Sequence, residues 1–384
     1  MATNRNFEVW RAAEPEPVAA RIAISGDFLP AGNQTMASNP DWRERASALH
    51  AHFEDVDESF VNLEASLNTE GLKARTLLGL GQIVSAHAAS LEYLKAIQCH
   101  VIGIANNHSY DFGDEGTART RAAIAHHGMV PLGAGSTLAK RPEILIWDGP
   151  EAVRVGFWAS AKTTVDAARQ NIRGVEPADP PRGNQALEEM KSRGATFCVA
   201  LVHAGCMRTN RPDPEDVNLM ETLAHSGFDL IAASHSHRIA GYKQISHKQN
   251  RNGFCFFGLG SLVSGYSSSP IEGEGLVVVA TLGAKGNLIS LEVRAVQLDA
   301  DGFGSIADDT NNMVILGRFR SLSNEMSDGS YKKHFYREIS QGLGRLYFRD
   351  AKAALRSAGI RGVVRKAARV RMRHLRRLIH GTTA

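Results

Sequence analysis

The sequence predicts a layered α/β domain over residues 21–300, and three observations carry that expectation. From residue 21 onward, short apolar runs alternate with stretches of helical spacing. Beyond His237 the alternation gives way to consecutive strand-like runs. The 36 glycines suit a fold with many strand-to-helix turns. Alternating β and α elements followed by a β-rich stretch are the pattern of helices packed on sheets. At 384 residues, 43% apolar and 22% charged, the chain can bury one large core or two smaller ones, and disorder is not the default.

Residues 1–20 read as a loose leader, with Pro15 and Pro17 flanking Glu16 and no periodicity. Arg21–Phe28 (RIAISGDF) reads as a strand ending in a Gly-Asp turn, and Glu58–Glu64 (ESFVNLE) as a second strand. His87–Ile97 has apolar residues three and four apart and reads as a helix. Val101–Ala105 (VIGIA) is a buried strand, followed by a loop and a helix over Glu115–His126. Pro131–Gly135, Arg154–Ser160 and Phe197–His203 are further strands, and Glu215–Ser226 is a helix. Leu230–Ala233 is a strand ending at Ser234-His235-Ser236-His237. Gly253–Leu262, Gly275–Leu282 and Leu288–Leu298 read as consecutive strands with turns at Gly283 and Gly286. Residues 301–344 read as a polar extension.

Several classes are disfavoured. No apolar run has the length of a signal-peptide core, and no stretch of 18 apolar residues predicts a membrane-spanning helix. Cys99, Cys198, Cys206 and Cys255 are widely spaced without a CxxC pair, which favours reduced, mostly buried thiols and a cytoplasmic compartment.

The chemistry-bearing residues all follow apolar strands. Asp27 follows AIS-G, Glu64 follows VNL, Asn106, Asn107 and His108 follow VIGIA, His203 ends CVALV, and His235 with His237 follows LIAAS. In α/β sheets, loops beyond the C-terminal strand ends converge on one edge, where sites are built. Five such loops offer carboxylate, amide and imidazole donors without a thiol, a set suited to Zn²⁺, Mn²⁺ or Fe²⁺. Each piece alone has a plainer reading: a turn aspartate, a surface glutamate, a satisfied core histidine. Their common placement at strand ends points to a metal site.

The stretches ISGDF, VNLEASL, IANNHSYDFGDEGTART, VALVHAG, ASHSHRIAGY and FFGLGSLV resemble successive blocks of the CapA-type poly-γ-glutamate capsule-synthesis family. That family is similar to calcineurin-like metallophosphoesterases, so the resemblance implies an αββα sandwich holding two divalent ions (Mn, Fe or Zn). It implies that Asp27 and His237 serve a first metal, that Glu64 bridges, and that Asn107, His203 and His235 serve a second. It further implies His108 as proton donor to a leaving group, with Asp111 orienting its imidazole. Arg208 and Arg211, in the loop after His203, are candidates to steady an anionic substrate. The implied activity is metal-dependent hydrolysis of a phosphoester or related bond in the biosynthesis of capsule or poly-γ-glutamate-type surface polymer. The alternative is a non-catalytic metal-binding accessory or scaffold of a polymer-synthesis complex. Leu29 stands where phosphoesterases have a histidine, which CapA-type proteins also tend to lack; from the family itself the sequence departs at Ala204, at Ser234 and Ser236, and at Ser261.

Residues 345–384 carry twelve Lys and Arg against one acid, Asp350, while the rest of the chain is net acidic. Beyond Gly359 and Gly362, an apolar face (Val363, Ala367, Val370, Leu378) opposes an Arg/Lys face, giving a basic, partly amphipathic helical tail. Such a tail can pack on its own domain, lie on the anionic inner membrane surface, or hold an anionic polymer. No nucleic-acid-binding signature accompanies it, so no specific nucleic acid is expected.

Overall fold

The computed structural model describes residues 6–14, 16–30, 41–74, 83–135, 141–162, 174–207, 209–246, 251–265 and 273–341. In chain order the elements begin with β1 (Asn6–Arg11), β2 (Val18–Leu29), α1 (Trp42–His50), β3 (Glu58–Leu63), β4 (Ser66–Leu67) and β5 (Ser85–Ala86). Next come α2 (Leu91–Ala96), β6 (Val101–Gly103), α3 (Gly113–His126), β7 (Val130–Leu132), β8 (Leu145–Asp148) and β9 (Arg154–Ala161). Then follow α4 (Pro180–Ser192), β10 (Phe197–His203), α5 (Pro214–Ser226), β11 (Leu230–Ser234), β12 (Tyr242–Ser246) and β13 (Asn252–Phe256). The described chain closes with β14 (Ser261–Ser264), β15 (Glu274–Gly283), β16 (Leu288–Leu298), β17 (Gly304–Ile306) and α6 (Asp309–Asp328).

The larger sheet has nine strands and runs β1-β16-β15-β2-β3-β6-β7, with β14 also on β2 and β17 on β16. The smaller has six and runs β12-β13-β11-β10-β9-β8. In both, the strands that lead to the candidate residues are parallel: β2, β3 and β6 in one, β10 and β11 in the other. Their C-terminal ends therefore share an edge.

The faces follow from strand parity. In β10, Val199 and Leu201 join the core between the sheets, whereas Cys198, Ala200 and Val202 pack against α4 and α5 with Met190, Met220 and Leu223. In β3, Phe60 crosses the inter-sheet space to meet Phe157 edge-on at 5.3 Å. His203, two residues beyond Leu201, and Asn62 and Glu64, beyond Phe60, thus face the inter-sheet side. The helices are set by local signals. Asp179 caps α4 by accepting from Arg182 N, Asp213 caps α5 by accepting from Glu215 N, and both are followed by proline at the first helical position.

Three sequence expectations change. The stretch 253–262 is not one strand: β13 belongs to the six-stranded sheet and β14 to the nine-stranded one. The chain crosses between them through Gly260, which has φ 66° and whose Cβ would lie 2.2 Å from Glu274 O. The expected leader contains β1, an edge strand on β16, and β2 already begins at Val18. The expected polar extension contains α6, which buries Ile315, Phe319, Leu322 and Met326 and stacks Phe319 on Tyr242 and Phe256. Both were hidden because their apolar residues are few and each needs a distant partner to be buried. The basic tail lies outside the described residues. Among those described, no helix is long and apolar enough to cross a membrane.

Gly26 sets the approach of β2 to β14. A Cβ there would meet Gly260 O at 2.1 Å and Leu259 O at 2.9 Å, where Asp27 N donates to Gly260 O. Gly26→Ala is expected to cost roughly 1–3 kcal/mol by overpacking, read as a lower urea midpoint with an unchanged slope.

Candidate metal centre

Five segments place donors on one edge. Asp27 stands in β2 just past a register irregularity between Ile24 and Asp27. Glu64 follows β3, and His203 ends β10. Asn106–Asp111 form the turn between β6 and α3. His235 and His237 follow β11. By parity His235 would point toward the helix side, as Ala233 does. The chain instead leaves the strand with φ 107° at His235 and 55° at His237. Such non-glycine values cost on the order of 1–3 kcal/mol each and concentrate at functional sites. They bring both imidazoles back over the carboxylates.

Two donor groups result, and they share Glu64. Asp27, Glu64 and His237 form one, Glu64, His203 and His235 the other, each with donor atoms within 4.8 Å of one another. His237 Nε2 is 3.7 Å from Glu64 Oε2, and His203 Nε2 is 3.7 Å from Glu64 Oε1. Asn107 Oδ1 joins the second group, 2.6 Å from His203 Nε2. The rings of His203 and His235 pack edge-on at 4.7 Å.

The two buried carboxylates are treated oppositely. Burial would raise Asp27, but the contact and charge of His237, then His203 and the His235 N–H, outweigh it and hold its pKa at about 2. Burial pushes Glu64 well above the ordinary carboxylate range; His237 opposes this, while Asp27 and Asp111 add to it. Burial, with His235 beside it, pulls His203 well below the ordinary imidazole range, which favours the neutral, metal-ligating form. Glu64 Oε2 is buried without a hydrogen-bond partner among the described residues. A buried charged oxygen in that condition is costly unless a cation meets it. This orphaned oxygen, amid oxygen and nitrogen donors and no thiol, fits divalent metal.

His108 stands at the rim. Its Nδ1 donates to Asp111 Oδ2 at 2.8 Å, and its Nε2 lies 3.9 Å from Glu64 Oε1. Asp111 is itself held by Val84 N at 2.7 Å. Of the two arginines expected to steady substrate, Arg208 lies outside the described residues. Arg211 is elsewhere engaged: its guanidinium forks onto Glu325 of α6 at 2.6 and 2.9 Å and reaches Glu338 in the helical residues 331–341. It fastens the loop after β10 to the C-terminal helices.

Sequence reading missed Asn62 and Ser234. Asn62 Nδ2 donates to Asp27 Oδ1 at 2.7 Å, and Ser234 Oγ lies 3.0 Å from His203 Nδ1. The available signal was a polar residue at inward parity in an apolar strand: Asn62 two before Glu64, Ser234 two after Ala232.

The fold and site define an α/β sandwich protein with paired strand-end donor groups of a kind that could hold metal ions. The family model described as bacterial capsule synthesis protein PGA_cap matches residues 21–266, and the chain belongs to that family. It is 28% identical over 269 residues to a probable polyglutamine synthesis accessory protein of Mycobacterium tuberculosis, covering 66% of this chain and 68% of that protein. It is 28% identical over 151 residues to the PGA biosynthesis protein CapA of Bacillus subtilis, covering 38% of this chain and 39% of that protein. Among solved structures it is similar to the calcineurin-like phosphoesterase YfkN from Bacillus subtilis, with TM-score 0.46 and 12% identity over 81% of this chain and 99% of that chain.

Two outcomes follow from this geometry. Glu64→Gln is expected to weaken both steps of Mn²⁺ uptake in equilibrium dialysis, because one side chain serves both groups. Arg211→Leu should leave uptake unchanged yet lower stability by roughly 1–2 kcal/mol, since it strips a bidentate, half-buried fork from two carboxylates. Urea denaturation reads that loss.

Proposed function

We propose that this chain is a metal-dependent hydrolase of a phosphoester or related bond, acting in the biosynthesis of a capsule or poly-γ-glutamate-type surface polymer. The observation that carries the reading is the pair of donor groups sharing Glu64, with the His108–Asp111 pair aimed at the same carboxylate. Family membership supports the polymer context. Asp27, Glu64 and His237 would hold one divalent ion, and Glu64, Asn107, His203 and His235 the other. Manganese, iron and zinc all suit these donors. Ions so held supply positive charge to clamp an anionic group and make water a nucleophile at neutral pH.

The chain's own residues do the rest. Asp111 fixes the imidazole of His108 so that Nε2 faces the site, where it can protonate a departing oxygen. Asp27, Glu64, His203 and His235 are buried while Asn107, His108 and His237 are partly open, so an extended anionic substrate can approach the donor groups on the His108 side. The basic tail would bring the domain to an anionic polymer or to the inner membrane surface from the cytoplasmic side.

A second reading has one specific support: the mycobacterial relative carries the name of an accessory protein. In that role the metal would stabilise the fold, and the tail would dock the domain to a synthesis complex. Metal content of the purified chain, with hydrolysis of aryl phosphate mono- and diesters under Mn²⁺, separates the two. The hydrolase binds up to two ions, and His108→Ala lowers turnover on the order of 10²–10⁴-fold with metal content intact. Metal without turnover moves the balance to the accessory role. No metal after reconstitution defeats both.

A further inference from the structure

Asn62 is 1% exposed, and both ends of its amide are used. Nδ2 donates to Asp27 Oδ1 at 2.7 Å and lies 3.4 Å from His203 Nδ1 across the inter-sheet space. Oδ1 accepts from Asn106 Nδ2 at 3.2 Å. Asn106 in turn accepts from His108 N at 3.0 Å and donates to Leu63 O at 2.7 Å. One side chain beneath Glu64 therefore touches a donor of the first group, a donor of the second, and the loop that carries Asn107 and His108.

The chemistry of an amide suits this place. With Asp27 Oδ1 engaged by Asn62, Oδ2 is the oxygen that meets His235 N at 2.9 Å and His237 Nδ1 at 3.2 Å. The rotation of the carboxylate is thereby set. A carboxylate at position 62 would lack the donor and add like charge beside Asp27; an apolar side chain would leave Asp27 Oδ1 and Asn106 Nδ2 each short of a partner.

We propose that Asn62 is a positioning residue that orients Asp27 and sets the separation of the two donor groups, so that two ions bind as a coupled pair. The proposal rests on the metal-site reading above. It assigns Asn62 no contact with metal or substrate; it acts through Asp27 and Asn106.

The probe is Mn²⁺ titrated into the full chain, followed by equilibrium dialysis and electron paramagnetic resonance. The unaltered protein is expected to bind two equivalents and give the broad signal of an exchange-coupled pair. Asn62→Leu is expected to keep one equivalent, lose affinity for the other by about 10- to 100-fold, and give the six-line signal of an isolated ion. Circular dichroism and urea midpoints check the fold, and Asn62→Ser is the second variant should the leucine fail to fold. The serine hydroxyl is too short to span both partners, so the same shift from pair to single ion is expected.

Parental affinity and a coupled signal in either folded variant would overturn the proposal, and so would an equal weakening of both equivalents. If neither variant folds, Asn62 serves packing and the positioning role is refuted. An unaltered chain that binds no Mn²⁺ would defeat the metal reading itself, before any variant is compared.

Discussion

Glu64 and Asp27 are withdrawn from water between two sheets and share the imidazole of His237. In an interior that screens weakly, two such carboxylates repel each other and each forfeits its hydration. The fold meets this cost unevenly. Asp27 receives Asn62 Nδ2, the His235 N–H and the neighbouring His237, and stays ionised. Glu64 faces histidines from four directions at 3.7–4.0 Å, beyond hydrogen-bond length. That spacing is too long for direct pairing and leaves room for a cation between the partners. The arrangement is thus a demand for external positive charge, and the surrounding structure serves to keep it from collapsing.

Several features resist that collapse. Parallel strands in both sheets bring the loops to one edge, and the aromatic contact of Phe60 with Phe157 holds the sheets in register behind it. Gly26 lets β2 approach the Leu259–Gly260 backbone, and Gly260 lets that backbone approach Glu274 of β15, each where a methyl group would clash. The turn after β11 keeps two histidines at positive φ. Arg211 fastens the loop after His203 to α6 and to the following helix, although it stands outside the donor set.

The family match ends at residue 266, whereas β15, β16, β17 and α6 lie beyond it, and β1 lies before it. These elements complete the larger sheet and cover its core, with β15 pairing directly along β2, which carries Asp27. The portion that the family model matches thus leans on flanking strands and a helix outside it.

The donor residues and the strands that deliver them were legible in the sequence because an apolar run ending in Asp, Glu, His or Asn-Asn-His is a local signal. Period-two parity even predicts which face His203 and Glu64 occupy. The split of 253–262 between two sheets was not legible, since the apolar run continues through Gly260, whose positive φ and close approach to Glu274 O appear only in the folded chain. Arg211 looked available because Glu325 and Glu338 lie more than a hundred residues away in sequence. Sequence alone determined the family, the layered α/β class and which residues are candidate donors, because these depend on residue type and short-range periodicity. Only tertiary structure decided that Glu64 serves both groups, that His235 turns back toward it, and that Asn62 joins them from below. Those outcomes depend on distances between segments that no local pattern encodes.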